Sequence, residues 1–169
     1  KIVGGLLNFA RKNKLRRKTV DANAFLRQSV AAVVVPENVR VRQHAFEGGA
    51  AAVLDPDQMT QVMTNLLANA VEAMPHGGTI DVSLEKAANE IRFVVEDNGT
   101  GIPEDNLKLI FEPFFTTKQI GQGTGLGLSV VYGIVKMHRG RIDVRSNTDA
   151  AKGPTGTSFT VSIPQSTRS

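Results

Sequence analysis

Residues 55–74, DPDQMTQVMTNLLANAVEAM, carry two helical patterns at once. Asp55 suits an N-cap, Pro56 the first helical position, and Gln58 the third, from which a side chain reaches back to the cap. Met59, Val62, Met63, Leu66, Leu67, Ala70 and Met74 recur at helical spacing and form an apolar face. Pro75-His76-Gly77-Gly78 then stops the helix. At about 100° per residue, Gln58, Gln61, Asn65, Asn69 and Glu72 fall within roughly 80° of one another on a second face. A plain solvated stripe would favour Lys, Glu or Arg, which are better helix formers than asparagine. Two asparagines one turn apart present neighbouring amide oxygens, hard ligands that suit Mg²⁺ with retained water. Pattern alone leaves both readings standing.

Working outward, DANAFLRQSVAAVV (21–34) predicts a helix, NVRVRQHAF (38–46) alternates like a strand, and AAVL (51–54) reads as a short strand. After the central helix, TIDVSL and EIRFVVED form a hairpin around EKAAN. A third helix is expected over about residues 125–138, followed by strands RIDVRS and TSFTVSI. Three helices and about five strands with hairpin contacts predict a two-layer α/β sandwich, its sheet mixed and mostly antiparallel.

Composition agrees with a single domain. The chain has 169 residues, 41% of them apolar and only 5% aromatic, so its core must be largely aliphatic. It has no cysteine, which excludes disulfides and thiol chemistry. No apolar run is long enough to span a bilayer and no signal peptide is evident, so a soluble, cytoplasmic segment without membrane contact is expected. The net charge of +4 misleads. Residues 1–18 hold seven of the 20 basic residues and no acid, leaving 13 basic against 16 acidic residues elsewhere. The basicity belongs to an N-terminal segment, which reads as a solvated run rather than a nucleic-acid site.

Three further stretches carry candidate chemistry. VVEDNGTGIP puts Asp97 at the end of a strand before Gly99 and Gly101; an ordinary turn and a ligand-binding carboxylate both fit. Nearly thirty residues with at most one short helix follow, too many for a simple connector. In them, FEPFFTTK packs Phe111, Phe114 and Phe115 beside Thr116, Thr117 and Lys118. GQGTGLGLS (121–129) then runs into the third helix, whose bare N–H groups and partial positive charge suit a phosphate. It is neither a Walker A sequence nor a dinucleotide fingerprint. His44, His76 and His138 show no metal-ligand spacing and read as structural or exposed.

In this order, NLLANAVEAM, DNGTGIP, FEPFFTTK and GQGTGLGLS resemble the N, G1, F and G2 boxes of the catalytic ATP-binding domain of sensor histidine kinases. That domain lies within the superfamily of gyrase, Hsp90 and MutL. The resemblance covers about residues 20–164, implies the Bergerat-type sandwich, and in wording is nearest the nitrogen-regulation and oxygen-sensing kinases. It implies that Asn69 binds Mg²⁺ bridging the phosphates of ATP, with Asn65 assisting. Asp97 would accept from the adenine amine, Gly99 and Gly101 shape the turn beside the base, and Ile102 lies against its face. Residues 111–118, with Phe115, Thr116, Thr117 and Lys118, would form the lid; Gly123, Thr124, Gly125, Leu126, Gly127 and Leu128 would complete the phosphate site and the lid hinge.

Two departures from relatives matter. Asn65 stands where hydrolysing relatives carry a glutamate general base, so ATP hydrolysis should be poor and no catalytic residue is assigned with certainty. Glu72 stands where many histidine kinases have a lysine. No histidine precedes His44, so the phosphoacceptor would lie outside this chain. Residues 1–20 then read as the end of an upstream dimerisation-hairpin helix and linker, and residues 21–169 as the catalytic domain. The implied partners are the protein's own dimerisation domain, in a homodimer, and a response-regulator receiver domain. A self-contained ATPase switch and a non-catalytic nucleotide-binding module are the competing readings.

Overall fold

The computed structural model describes residues 14–112 and 127–165. Seven strands and four helices follow in the order β1 (Lys18–Asp21), α1 (Ala22–Ala31), β2 (Val39–His44), β3 (Ala51–Leu54), α2 (Pro56–Glu72), β4 (Gly78–Ala87), β5 (Glu90–Asp97), α3 (Glu104–Leu107), α4 (Gly127–Met137), β6 (Arg141–Asn147) and β7 (Gly156–Pro164). β2, β4, β5, β7 and β6 form one five-stranded sheet in that order. Only the β2–β4 pair is parallel, with Val39 opposite Gly78. Parallel neighbours need a crossover connection, and α2 supplies it.

Alternation along the strands builds the core. Ile80, Val82 and Leu84 of β4, Ile91, Phe93 and Val95 of β5, and Phe159, Val161 and Ile163 of β7 are all buried on one face. The apolar side of α2 lies over them, with Met59, Val62, Met63, Leu66 and Leu67 essentially sealed from solvent. Phe25 of α1 meets Phe93 edge-on at a ring separation of 5.7 Å. Val131, Ile134 and Val135 of α4 complete an otherwise aliphatic interior. The opposite face of the sheet is polar: Arg42, Asp81, Glu96, Ser158 and Arg145 face one another in turn across all five strands. The predicted two-layer mixed sandwich is the fold observed.

The elements differ from expectation in three places. α1 stops at Ala31, short of residue 34, because Val33-Val34-Val35 leads into Pro36; β-branched residues and a following proline both disfavour helix. The β4–β5 hairpin turns on two residues, Ala88-Asn89, so β4 extends through Glu85, Lys86 and Ala87 into the stretch expected as loop, while β5 begins at Glu90 as expected. β1 was not expected, since four residues are too few to show a period. It pairs antiparallel with β3, Lys18 opposite Leu54. The Gln165 amide also pairs with the Val53 backbone, accepting its N–H at 2.7 Å and donating to its carbonyl at 3.0 Å. Among the described residues no helix is long and apolar enough to cross a membrane.

Candidate functional site

The polar stripe of α2 is not uniformly solvated. Gln58 is buried, Gln61 exposed, and Asn65 and Asn69 sit half-buried one turn apart. Asp55 caps the helix as expected, its Oδ1 accepting from Gln58 N at 3.1 Å. Asn65 Nδ2 donates to the carbonyl of Gly127, the first residue of α4, at 3.4 Å. The Asn69 side chain meets no hydrogen-bonding partner among the described residues.

At the far end of β5, Asp97 is only 8% exposed. Its Oδ1 accepts from Gly99 N at 2.8 Å and Thr157 N at 3.3 Å. Burial pushes the carboxyl above its ordinary range, the two N–H groups pull it down, and the neighbouring Glu96 charge adds to the rise. Oδ2 has no donor among the described residues. The residue is buried but this oxygen is not sealed off, so it is an acceptor open to an incoming donor.

The loop after Asp97 is bolted to both neighbours. Thr100 N donates to the carbonyl of Ala73, the α2 C-cap residue, at 3.1 Å. A Cβ on Gly99 would collide with that same carbonyl. Gly101 adopts φ +81, and a Cβ there would strike the Asn147 carbonyl. Ile102 N donates to Ser146 Oγ at 2.6 Å, and the Ile102 side chain packs against the core. The glycines are needed because backbone passes over backbone. This docking sets the loop after Asp97 against Ala73, about one turn beyond Asn69, and the Asn65–Gly127 contact brings the start of α4 to the same stripe.

Of the sequence-predicted residues, Asn65, Asn69, Asp97, Gly99, Gly101, Ile102, Gly127 and Leu128 are described, and Leu128 packs against the core. Phe115, Thr116, Thr117, Lys118, Gly123, Thr124, Gly125 and Leu126 lie outside the described residues. Phe111 packs against the core, its ring 5.5 Å from Tyr132. His44 and His76 are exposed and His138 is buried, in line with their structural reading. His44 does find an acidic partner, Asp81, at 2.9 Å on the polar sheet face. Thr157, Ser146 and the Ala73 carbonyl were missed; backbone and hydroxyl partners that far off in sequence leave no local signal.

A cavity of about 560 Å³ opens on that polar face between Arg42, Asp81, Glu96, Arg145 and Ser158. No α2 residue lines it, but Asp97, Asn98 and Thr157 do, so it reaches the end of β5; no group of three or more metal-ligating His, Cys, Asp or Glu residues occurs among the described residues. The α2–β5–α4 site offers an open carboxylate oxygen at one end and amide oxygens beside a helix N-terminus at the other. Such an arrangement suits a ligand with a hydrogen-bond donor at one end and negative charge at the other.

Known proteins resemble this chain in sequence and in fold. The profile of the histidine kinase-, DNA gyrase B- and HSP90-like ATPases matches residues 54–167. The sensor histidine kinase ZraS of Escherichia coli K12 is 36% identical over 167 residues, covering 97% of this chain and 34% of that protein. Sporulation kinase A of Bacillus subtilis is 44% identical over 111 residues, covering 66% of this chain and 17% of that protein. The chain thus spans about a third or less of the length of these relatives. The solved catalytic domain of histidine kinase ThkA superposes with a TM-score of 0.74 at 28% identity, covering 89% of this chain and 96% of that one. The chain therefore belongs to the family of histidine kinase-, DNA gyrase B- and HSP90-like ATPases.

Proposed function

We propose that this chain is the Mg-ATP-binding catalytic domain of a two-component sensor histidine kinase. The observation that carries the reading is the Asp97 carboxylate, buried with Oδ2 open, at one end of a site whose other end is Asn65, Asn69 and the start of α4. Asp97 Oδ2 accepts the exocyclic amine of adenine, and the loop through Gly99, Gly101 and Ile102 holds the base. The first-turn N–H groups of α4, at Gly127 and Leu128, face the phosphates.

The donor set fits Mg²⁺. Asn69, with no partner among the described residues, offers a hard amide oxygen, with Asn65 beside it, and phosphate oxygens and water would fill the remaining positions. Bound there, the ion neutralises phosphate charge. Asn65 is no general base, so the site does not activate water and holds the γ-phosphoryl for a protein acceptor. In the transfer, a histidine nitrogen forms the N–P bond, the bond between γ-phosphorus and the β,γ-bridging oxygen breaks, and ADP leaves.

The catalytic domain includes β1 from Lys18, since that strand pairs with β3, and it works with a separate dimerisation domain. The acceptor histidine lies on that dimerisation domain in a homodimer, and a response-regulator receiver domain takes the phosphoryl onward, in the cytoplasm. Calorimetric titration with Mg-AMPPNP tests the site. Saturable one-to-one binding is expected, and no binding at millimolar nucleotide would sink the reading.

A further inference from the structure

The start of α2 departs from the reciprocal cap that its sequence spells. In such a cap the side chain at the third helical position takes the cap residue's own N–H. Here Asp55 N donates instead to His138 Nε2 at 3.0 Å. Gln58 Oε1, the local candidate, is buried with no partner. Leaving a buried carbonyl oxygen unpaired is unfavourable, so the distant bond must bring something the local one would not.

What it brings is a joint between two helices. His138 is 1% exposed and directly follows Met137, the last residue of α4. The turn behind it closes with Arg139 N to Lys136 O and Gly140 N to Val135 O, both 2.9 Å. Arg139 takes φ 60, a left-handed position usually given to glycine. His138 Nδ1 meets the Ile134 carbonyl at 2.9 Å, so Nδ1 carries the proton and Nε2 the lone pair.

α2 and α4 run antiparallel and touch by hydrogen bonds at both ends: Asp55 with His138 at one, Asn65 with Gly127 at the other. Ten residues of α2 and eleven of α4 separate the two contacts, about 15–17 Å of helix. A slip of one residue at the His138 end moves Gly127 by about 1.5 Å against Asn65. We infer that His138 is a positioning residue of the nucleotide site: by taking the Asp55 N–H it fixes the axial register of α4 on α2, and so where the first turn of α4 stands against Asn65 and Asn69. The same Asp55 accepts from Arg16 N through Oδ2 at 2.9 Å, so the segment before β1 is tied into the joint. This inference rests on the nucleotide reading of the site.

The test compares wild type with His138→Ala and His138→Gln, all titrated with Mg-AMPPNP well below their melting temperatures. Apo spectra report the Gly127 amide and the Asn65 side-chain NH₂. His138→Ala weakens the nucleotide about tenfold and shifts both resonances; His138→Gln, whose Oε1 accepts the Asp55 N–H, recovers most of both. A lowered melting temperature with affinity and resonances unchanged overturns the inference. Wild type that fails to bind nucleotide refutes the site reading instead, and the resonances alone then judge the register. Should His138→Ala not fold, ¹⁵N-imidazole spectra of wild type decide. The Nδ1–H tautomer is required at pH 7 and should give way on acidification, as Nε2 gains a proton facing the Asp55 amide with the Asp55 carboxylate, Arg17, Lys136 and Arg139 nearby. An Nε2–H tautomer overturns it.

Discussion

Oδ1 of Asp97 takes the amide N–H of Gly99 at 2.8 Å, so the carboxylate shapes its own loop with one oxygen and keeps the other open. The two tasks separate on substitution. Asp97→Asn keeps an Oδ1 acceptor for Gly99 but presents a donor where adenine's amine needs an acceptor. Affinity for Mg-AMPPNP should fall by about 1.5–3 kcal/mol, read by calorimetry. Unchanged affinity would remove Asp97 from the site.

The same variant should not lose stability at neutral pH. Burial holds the folded Asp97 carboxyl above the ordinary 3.8. Its contribution is therefore present below pH 3.8 and lost as pH rises through the raised value. At pH 7 the buried charge opposes folding, and the neutral amide does not. Thermal unfolding of Asp97→Asn at or above the wild-type temperature is expected; a large drop would contradict the assigned sign.

Asn69 carries a different signature. With no partner among the described residues, Asn69→Ala should change unfolding free energy by no more than about 0.5 kcal/mol. It should nonetheless abolish the gain in nucleotide affinity that Mg²⁺ confers. Titrations with and without the ion measure this, and an undiminished Mg²⁺ effect would place the ion elsewhere.

Gly101→Ala should be more damaging than Gly99→Ala. Both add a Cβ against a backbone carbonyl, of Asn147 and Ala73 respectively, at a cost of about 1–3 kcal/mol each. Gly101 alone also holds φ +81, which adds about 1 kcal/mol for an L-residue. Urea unfolding ranks them; the reverse order would contradict the loop geometry.

His138 gives the protein an acid-sensitive joint. Burial, first among its influences, pushes the folded imidazole below the ordinary 6.5. Stability from its neutral form is full above pH 6.5 and is lost as pH falls through the lowered value. Wild type should therefore lose more stability than His138→Gln between pH 7.5 and 5. Parallel denaturation curves at the two pH values would refute this.

Much of this was legible in sequence wherever a period repeats. The apolar face of α2 and the alternation of β4, β5 and β7 announce the sandwich, and Asp55-Pro56 announces where α2 begins. β1 could not be read, because four residues show no period and its partner β3 lies 30 residues on. Gly99 and Gly101 could be picked out, but Ala73 and Asn147, the carbonyls that demand them, are distant in the chain. Gln58 spelled a local cap that tertiary packing overrode, since His138, 83 residues away, claimed the N–H.

The central claim is phosphoryl transfer to a histidine outside this chain. It is tested most directly by incubating the chain with γ-labelled Mg-ATP and a separately produced dimerisation fragment bearing the acceptor histidine. The account predicts acid-labile label on the fragment, none on the chain alone, and little free phosphate. Rapid release of phosphate by the chain alone, with the fragment unlabelled, would contradict it.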